Sequence, residues 1–362
     1  MKNPVFPVRF VLNRNMTQAV LQPESTDRIR SEYDAIRNAV GLIDFSSAGK
    51  LKLSGKNSIQ FLNGLVSNDV KTLQPGDGIL ATFPTLQGKL SALCRIYNTG
   101  EHLLIELDAI NREKIFKNLS RFVPAGEFFV TDASDALALV SLCGPRSAEL
   151  VEALAAHPIE TADLKISKHR IAETEVWVAN HRRCGEMGFD LFVETESAAN
   201  VRQAILNVGQ SFGIHEVGDT AFEIARIEDG VAREGMDAGE DYIILESELE
   251  AAVSYTKGCY LGQEVIARIH WRGQPAKRLR GFVIEADSLP PRGTELFAVE
   301  GQMAGRRAGE ITSSTFSFAL NQKIALGYVH RYCLEAGTEF ILKQGEAELG
   351  RARLVELPIR KK

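Results

Sequence analysis

The sequence predicts an α+β protein in which two related α+β units are followed by a C-terminal antiparallel β-barrel domain. Helix-like and strand-like segments are mixed through residues 25–230, one strand–glycine–helix pattern occurs there twice, and only short strand-like runs follow Pro275. Mixed segments followed by strands alone are typical of an α+β region joined to an all-β domain. We therefore predict a first region over 1–275, made of two interleaved α+β subdomains, and a barrel domain over 276–362.

The first unit opens with a predicted helix. Apolar residues recur at helical spacing from Ile29 to Val40, with Ser25 and Thr26 before them as N-cap candidates and Gly41 after them as a stop. Strands are predicted next from alternating apolar residues, and helices from the longer period. The strands are at 49–54, 78–83, 89–97 and 102–108, and the helices are at 58–67 and 111–122.

The second unit repeats part of the first. Gly55 and Ser58, which end a predicted strand and begin a predicted helix, recur as Gly144 and Ser147, each 89 residues later. A repeated strand–glycine–helix pattern indicates two structurally related units. The unit continues with strands at 175–180 and 189–194, a helix at 197–208 and a periodic apolar segment at 219–228.

The segment after Pro275 changes character, because glycine, proline and polar residues interrupt it often. The short strands predicted between these turns are at 279–285, 295–299, 309–313, 324–329, 339–343 and 352–357. Regularly spaced short strands of this kind are typical of a small antiparallel barrel.

Composition limits the classes of function. The chain has 362 residues and a net charge of -5, with 44% apolar and 25% charged residues. These values are typical of a globular protein and argue against a general polyanion binder, and no apolar run has the length of a membrane span. Residues 1–23 carry three cations and no acid but are interrupted early by proline, so we expect an ordinary N-terminal arm and a cytoplasmic protein.

The cysteines are expected to be reduced thiols. They are odd in number, far apart in sequence and form no C-x-x-C pair, which argues against a disulfide framework or a single-loop metal site. The five are Cys94, Cys143, Cys184, Cys259 and Cys333.

One eight-residue segment, Lys257 to Glu264, combines a cation, a thiol, a carboxamide and an acid around two glycines. Glycines allow backbone angles and close approaches that other residues resist. Periodicity predicts a helix at 265–270, which places Cys259 just before a helix N-terminus, where exposed N–H groups and the Lys257 ammonium would favour a thiolate. The alternative is a half-buried loop cysteine without a chemical role.

The segment 257–264 resembles the K-G-C-[FY]-x-G-Q-E signature of the YgfZ-type folate-binding proteins, relatives of the glycine-cleavage T-protein. Further segments resemble T-protein motifs, at 41–46, 67–70, 73–76, 184–191, 226–230, 309–313 and 324–329. The resemblance implies three domains in a ring around a central folate pocket, the first two built from similar α+β units. It also implies tetrahydrofolate or a derivative as the cofactor.

The resemblance assigns folate contacts to particular residues. Glu186 matches an acid that can accept both the amino group and the ring N–H of a pterin, and Arg226 matches a cation for the anionic glutamate tail. The other residues placed at the folate site are Asn68, Asp69, Gln263 and Glu264. Without the resemblance, Glu186 would be a solvated turn acid and Arg226 would form a surface ion pair with Glu228.

One departure from the T-protein bears on the reaction. Ser91 and Ala92 stand where the T-protein motif G-G-I-x-D-D-L has two aspartates, one of which assists aminomethyl transfer. Neither residue can hold a negative charge or act as a base near neutral pH. The resemblance then implies a folate-binding accessory protein that supports iron–sulfur cluster assembly or repair, with an indirect effect on tRNA-modifying cluster enzymes. Cys259, assisted by Lys257, would carry its chemistry without a permanent metal site, because one thiolate cannot hold a cluster.

Two alternatives stand beside the accessory role. The retained folate motifs also fit an aminomethyltransferase or a methylamine demethylase, and Cys259 with His215 or His270 would fit a Cys–His hydrolase. For the accessory role the expected partners are folate and, transiently, iron–sulfur assembly or client proteins. We expect a monomer that contacts neither nucleic acid nor membrane directly.

Overall fold

The computed structural model describes residues 23–123 and 126–361, with side chains from Thr26 onward. The predicted N-terminal arm therefore lies outside the described residues, except for Pro23. The helices are α1 (Pro23–Asn38), α2 (Ser58–Leu65), α3 (Arg112–Ser120), α4 (Ser147–Ala155), α5 (Ala198–Gly209), α6 (Asp219–Glu228) and α7 (Gln263–Arg272). None of these described helices combines the length and apolar character needed to cross a membrane.

The strands occur in both halves of the chain. Those before α7 are β1 (Val40–Asp44), β2 (Gly49–Ser54), β3 (Gly78–Pro84), β4 (Leu90–Asn98), β5 (Leu103–Leu107), β6 (Phe129–Asp132), β7 (Leu137–Cys143), β8 (Ile166–Ile171), β9 (Thr174–Asn180), β10 (Gly188–Glu194) and β11 (Ile214–Glu216). Those after α7 are β12 (Lys277–Ala286), β13 (Glu295–Ala298), β14 (Arg307–Ser317), β15 (Gln322–His330), β16 (Glu339–Gln344) and β17 (Ala347–Val355). The predicted α+β class is confirmed.

The chain divides into two compact units whose ranges interleave. The first contains the chain up to Phe61 together with Val70–Ile79 and Cys94–Ala221. The second contains Leu62–Asp69, Leu80–Leu93 and the chain from Phe222 onward. The division at 275 made from the sequence stays a prediction, since it was drawn from the start of the barrel alone.

The first unit is built on a six-stranded sheet in the order β11-β1-β7-β10-β9-β8. Its central strand β7 is buried at every position, and residues of α4 and α5 such as Leu150 and Ile205 join the same apolar core. The second sheet has the order β3-β4-β5-β2-β6, and β3 and β4 run across the ranges of the two units. Both sheets were expected from the mixture of strands and helices.

The repeated sequence pattern corresponds to a repeated turn. Gly55 follows β2 with φ +97° and Gly144 follows β7 with φ +137°, and in each case a helix begins three residues later. A Cβ atom at either glycine would lie 2.4 Å from a backbone carbonyl oxygen. Only glycine fits such a turn without strain. The repeated sequence pattern therefore corresponds to two strand–turn–helix elements of similar local geometry.

The C-terminal strands form a closed antiparallel barrel in the order β12-β15-β14-β13-β16-β17. Its interior is filled by apolar side chains that alternate along the strands, including Phe282, Leu296, Val329 and Phe340. Closure leaves no unpaired sheet edge, which accounts for strands as short as β13. The predicted barrel is confirmed.

Some boundaries differ from the prediction. Val40 and Gly41 belong to β1 and not to the end of α1, because the six-stranded sheet pairs and buries them. The helix α1 also begins at Pro23, before the predicted caps. Four strands, β1, β6, β8 and β11, were not predicted. Val40 of β1 was assigned to the preceding helix, charged residues interrupt β8, and β6 and β11 have four residues or fewer.

Candidate functional site

The segment 257–264 belongs to the second unit and approaches α7 as an irregular loop. The helix begins at Gln263, two residues earlier than predicted, and Gly262 is its N-cap. Cys259 therefore precedes the helix by four residues and lies outside its first turn. The exposed N–H groups that were expected to favour a thiolate belong to residues further along the chain.

Lys257 holds this loop through its ammonium group. The side chain is 7% exposed, and Nζ donates hydrogen bonds to the carbonyl oxygens of Asn63 at 2.6 Å, Val66 at 2.7 Å and Asn68 at 2.8 Å. These carbonyls lie at and just beyond the end of α2, where a helix leaves acceptors unpaired and favours a cation. An ammonium has three donors, so Lys257 has none left for the Cys259 sulfur.

Tyr260 and Gly262 fix the loop from the other side. Tyr260 packs in a core with Leu90 and Ile266, and its ring centroid lies 5.0 Å from the Lys257 Nζ. Burial raises the pKa of Tyr260 to about 12. A Cβ atom on Gly262, where φ is +77°, would lie 2.3 Å from the carbonyl oxygen of Thr85, so this position requires glycine.

The Cys259 side chain is exposed, whereas the four other cysteines are buried. Its thiol forms no hydrogen bond among the residues that the structure describes. Of the two bases considered for a Cys–His hydrolase, His270 stacks on Tyr255 at a centroid distance of 3.7 Å and His215 lies on β11. A nucleophilic cysteine needs a base within hydrogen-bond reach, and the Cys259 thiol is bonded to none among the described residues.

Asn68 braces a neighbouring loop. Its amide nitrogen donates to the carbonyl oxygens of Leu80 at 2.8 Å and Ala251 at 3.2 Å, and its side-chain oxygen accepts from the Asp69 N–H at 2.9 Å. Gln263 is half-buried and Glu264 is exposed, both in the first turn of α7. The folate contacts expected of these residues stay predictions.

The acidic loop formed by residues 229–241 contacts the start of β4 in the second unit. The Ser91 hydroxyl donates to Glu240 Oε1 at 3.1 Å, and the Leu93 N–H donates to Glu234 Oε1 at 2.7 Å. Ser91 is half-buried, whereas Ala92 is fully buried on the opposite face of the strand. A carboxylate therefore lies beside Ser91, although neither Ser91 nor Ala92 carries one.

Arg226 is engaged within the fold of the second unit. The side chain is 1% exposed, and Nε and Nη2 bind Glu223 while Nη1 binds Asp237 at 2.6 Å. Nη1 also donates to the Val231 carbonyl at 3.0 Å and Nη2 to Ser313 Oγ at 2.9 Å. All five guanidinium donors are used, and Glu228 is not among the partners. The folate contact stays a prediction, and a ligand would have to displace one of these groups.

Glu186 lies in the first unit, in the turn between β9 and β10. Its carboxylate accepts a hydrogen bond from Arg37 Nη1 at 3.2 Å and its side chain is 14% exposed, so it is not a solvated turn acid. Gly188 permits the tight turn, because a Cβ there would lie 2.6 Å from the His181 carbonyl oxygen. Glu186 is an ion-paired, largely buried acid, and its pterin contact stays a prediction.

Comparison with known proteins identifies the family. The model of the GCVT N-terminal domain matches residues 6–257, and that of the glycine cleavage T-protein C-terminal barrel domain matches residues 277–361. The chain belongs to the glycine cleavage T-protein family. This T-protein family member is 27% identical over 321 residues to an aminomethyltransferase of Caldanaerobacter subterraneus subsp. tengcongensis, covering 88% of this chain and 84% of the relative.

Two further likenesses agree with this assignment. An aminomethyltransferase of Bacillus velezensis is 28% identical to this T-protein family member over 346 residues, covering 94% of this chain and 92% of the relative. The crystal structure of the glycine cleavage system aminomethyltransferase T from Bartonella henselae matches with a TM-score of 0.81 at 21% identity, covering 92% of this chain and 89% of that one. The second likeness shows that the fold is shared.

One residue of this T-protein family member was missed by reasoning from sequence. Glu240 lies 149 positions after Ser91, and nothing in a linear motif joins them. The only sequence feature that pointed to Glu240 was the acidic composition of residues 229–241, a short distance before the segment 257–264 in the chain. Residues 91 and 92 are neutral as the sequence shows, and the carboxylate beside Ser91 comes from Glu240.

Proposed function

We propose that this protein is a folate-dependent enzyme of the aminomethyltransferase type. Its membership of the T-protein family and the names of its relatives support this proposal. One observation in this chain carries it: the Glu240 carboxylate accepts a hydrogen bond from Ser91, at the position where the T-protein motif has an aspartate. Ser91 and Ala92 are neutral and cannot act as the base, but Glu240 from another segment supplies a carboxylate at the same place.

The proposed reaction needs no oxidant. A donor X–CH2–NH2 reacts with the two N–H groups of tetrahydrofolate, its C–X and C–N bonds break, and two C–N bonds to folate form. The products are methylene-tetrahydrofolate, XH and ammonia, and the two folate protons leave on X and on ammonia. Glu240 is assigned to accept a proton from an attacking nitrogen, and a positioned general base of this kind typically contributes about 10²–10⁴-fold in rate.

The test is single-turnover formation of methylene-tetrahydrofolate by the purified protein with an aminomethyl donor. Glu240→Gln is expected to lower the rate by about 10²-fold or more, since the amide cannot accept a proton. Adding Ser91→Asp to that variant returns a carboxylate to the strand and is expected to restore much of the rate.

Glu234→Gln is the matched control, because Glu234 accepts a hydrogen bond from the backbone N–H of Leu93 on the same strand. Absence of turnover by the wild-type protein would remove the proposal. Turnover that Glu240→Gln leaves unchanged would remove the assignment of Glu240 alone.

We also propose, as a second candidate, the YgfZ-type accessory role in iron–sulfur cluster assembly or repair. Its support is that Cys259 is exposed while the four other cysteines are buried, within a segment that matches the family signature. An accessible thiol suits transient capture of iron, sulfur or a partner thiol. Lys257 is then a positioning residue, because its ammonium binds carbonyl oxygens of the supporting loop.

Complementation in cells lacking the protein tests this second role. Cys259→Ala is expected to retain tetrahydrofolate binding but to lose support of iron–sulfur enzymes, including those that modify tRNA. Cys333→Ala is the control, because this cysteine is buried in the barrel core. Full complementation by Cys259→Ala would exclude the role.

A further inference from the structure

Both ends of α7 expose large apolar side chains. Trp271 and Leu86 are each 69% exposed and Leu261 is 41% exposed. Leu86 belongs to the turn 85–88, which packs on the start of α7 through the contact of Thr85 with Gly262. Seven large apolar side chains are exposed in the described part of the chain, so nearly half of them lie in this one region. Clustered exposed apolar residues indicate an interaction site.

The aromatic residues at the end of α7 are held in place by one another. The rings of Tyr255 and His270 stack at 3.7 Å with an interplanar angle of 19°. Trp271 meets both rings edge-on, at centroid distances of 6.2 Å and 4.6 Å. A side chain that is already ordered loses little rotamer entropy when a partner binds, which favours Trp271 as a contact residue.

Two cations on the same helix have no internal partner. Arg268 and Arg272 are exposed, lie four residues apart, and form no ion pair among the described residues. Glu264 lies one turn before Arg268, at the spacing where helical ion pairs form, and is not bonded to it. Elsewhere in the same unit Arg278 and Arg280 share the carboxylate of Glu248.

This combination is costly unless a partner uses it. Like charges four residues apart weaken a helix, and most of the Trp271 surface is left in water. Tryptophan and arginine are the residues that most often dominate protein interfaces. Nucleic acid would call for a wider basic field than two guanidinium groups, on a chain whose net charge is -5.

We propose that the α7 surface, formed by Leu86, Leu261, Arg268, Trp271 and Arg272, docks a protein segment that presents carboxylates beside an apolar side chain. The carboxylates pair with the two arginines, and the apolar side chain packs on Trp271. Docking in itself is independent of the folate reaction. Cys259 lies two residues before Leu261, so the bound segment also lies near the exposed thiol, and this consequence rests on the accessory role proposed above.

Selection of peptides from a random displayed library on the immobilised full-length protein tests the proposal. The enriched peptides are expected to carry at least a pair of acidic residues next to a large apolar one. Trp271→Ala and the double change Arg268→Glu with Arg272→Glu are each expected to weaken their binding about tenfold or more. Unchanged circular dichroism and melting of the variants shows that folding is preserved.

Phe316→Ala and Arg306→Glu are the matched controls, because both side chains are exposed, Phe316 on the barrel strand β14 and Arg306 just before it. They are expected to leave peptide affinity unchanged. Peptides without acidic enrichment, or binding that the α7 variants do not weaken, would overturn the proposal. So would single-stranded oligouridine that binds the wild-type protein and not the double arginine variant, since it would assign the surface to nucleic acid.

Discussion

At the scale of single residues, the two glycines of the 257–264 segment differ in what their surroundings require. Gly262 has φ +77° and no room for a Cβ atom, whereas a Cβ on Gly258 would meet no atom within 4 Å. We expect Gly262→Ala to lower the free energy of unfolding by about 2 kcal/mol or more, because the left-handed backbone and the Thr85 contact both oppose a side chain. Gly258→Ala is expected to change it by less than about 0.5 kcal/mol.

Urea unfolding of the two alanine variants measures this difference. A similar loss for both would mean that the loop, and not the contact with Thr85, sets the requirement for glycine. A loss of function in Gly258→Ala with full stability would instead point to a ligand that approaches the exposed backbone there, as the sequence suggested.

Lys257 gives a second prediction at this scale. Replacing it with methionine keeps most of the apolar stem but leaves the carbonyl groups of Asn63, Val66 and Asn68 without their donor. Because buried unsatisfied acceptors are costly, we expect a loss of about 3 kcal/mol in chemical denaturation. Lys56→Met is the control, since Lys56 is exposed and its ion pair with Glu127 contributes little. Equal stability of the two variants would contradict the bracing role.

At the scale of secondary-structure elements, Arg226 joins α6 to β14 within the second unit. Burial alone would lower the pKa of a guanidinium, but Glu223 and Asp237 raise the pKa of Arg226 above its ordinary value. Burial would likewise raise the pKa of Glu223, and the charges of Arg226 and Arg233 lower it below its ordinary value. Both partners are thus charged in the folded protein.

Removing Arg226 therefore leaves the buried carboxylate of Asp237 without its ion pair, while Glu223 keeps Arg233. We expect Arg226→Met to cost about 3–5 kcal/mol of stability, the range for breaking a buried ion pair. Arg306→Met, an exposed position in the same unit, is the control and should leave stability unchanged. If Arg226 served folate instead, the variant would stay near wild-type stability and lose affinity for tetrahydrofolate more than for a pterin without the glutamate tail.

Elements with a strong local period were predictable from the sequence. The alternation in β4 and the six barrel strands gave the right type of structure, and α5, α6 and α7 were placed within a few residues. The end of α1 was wrong because Val40 fits the helical period, while β11 pairs Val40 into a sheet and β7 pairs the following Gly41. Long-range pairing of this kind leaves no mark in a short window of sequence.

The candidate site was predictable only as a set of segments. The exposed thiol of Cys259 and the requirement for Gly262 follow from a local motif. The carbonyl partners of Lys257 lie about 190 residues earlier in the chain, and the carboxylate beside Ser91 lies 149 residues later. The sequence identifies these side chains as candidates, but it does not show which distant atoms they bind in the folded protein.

At the scale of the whole molecule, the ranges of the two compact units interleave along the chain, so each unit brings together residues that are distant in sequence. In the first unit, Glu106 is 2% exposed and accepts hydrogen bonds from Arg95 at 2.5 Å and Arg183 at 3.2 Å. Arg183 also forms a bidentate pair with Asp190, which is fully buried. The network joins β5 to β10 within this unit, since Glu106 lies on β5 and Asp190 on β10.

This network predicts how the stability of the molecule depends on pH. Burial alone would raise the pKa of Glu106, but the guanidinium groups of Arg183 and Arg95 lower it from 4.5 to about 2. Because the folded protein binds this proton less readily than the unfolded chain, the stabilisation is complete above the unfolded value of 4.5 and is lost as the pH falls toward 2. Its size at neutral pH is of the order of 3 kcal/mol.

Unfolding followed in denaturant between neutral pH and pH 2 checks this prediction. Glu106→Gln is expected to be less stable at neutral pH, because Arg95 loses its carboxylate, and to show a slope of stability against pH that is smaller by about one proton below pH 4.5. Glu196→Gln removes an exposed acid of the same unit that forms no ion pair among the described residues, and it should keep the wild-type slope. Parallel curves for wild type and Glu106→Gln would mean that the pKa of Glu106 is the same in the folded and unfolded states, and the two arginines would then not stabilise its carboxylate.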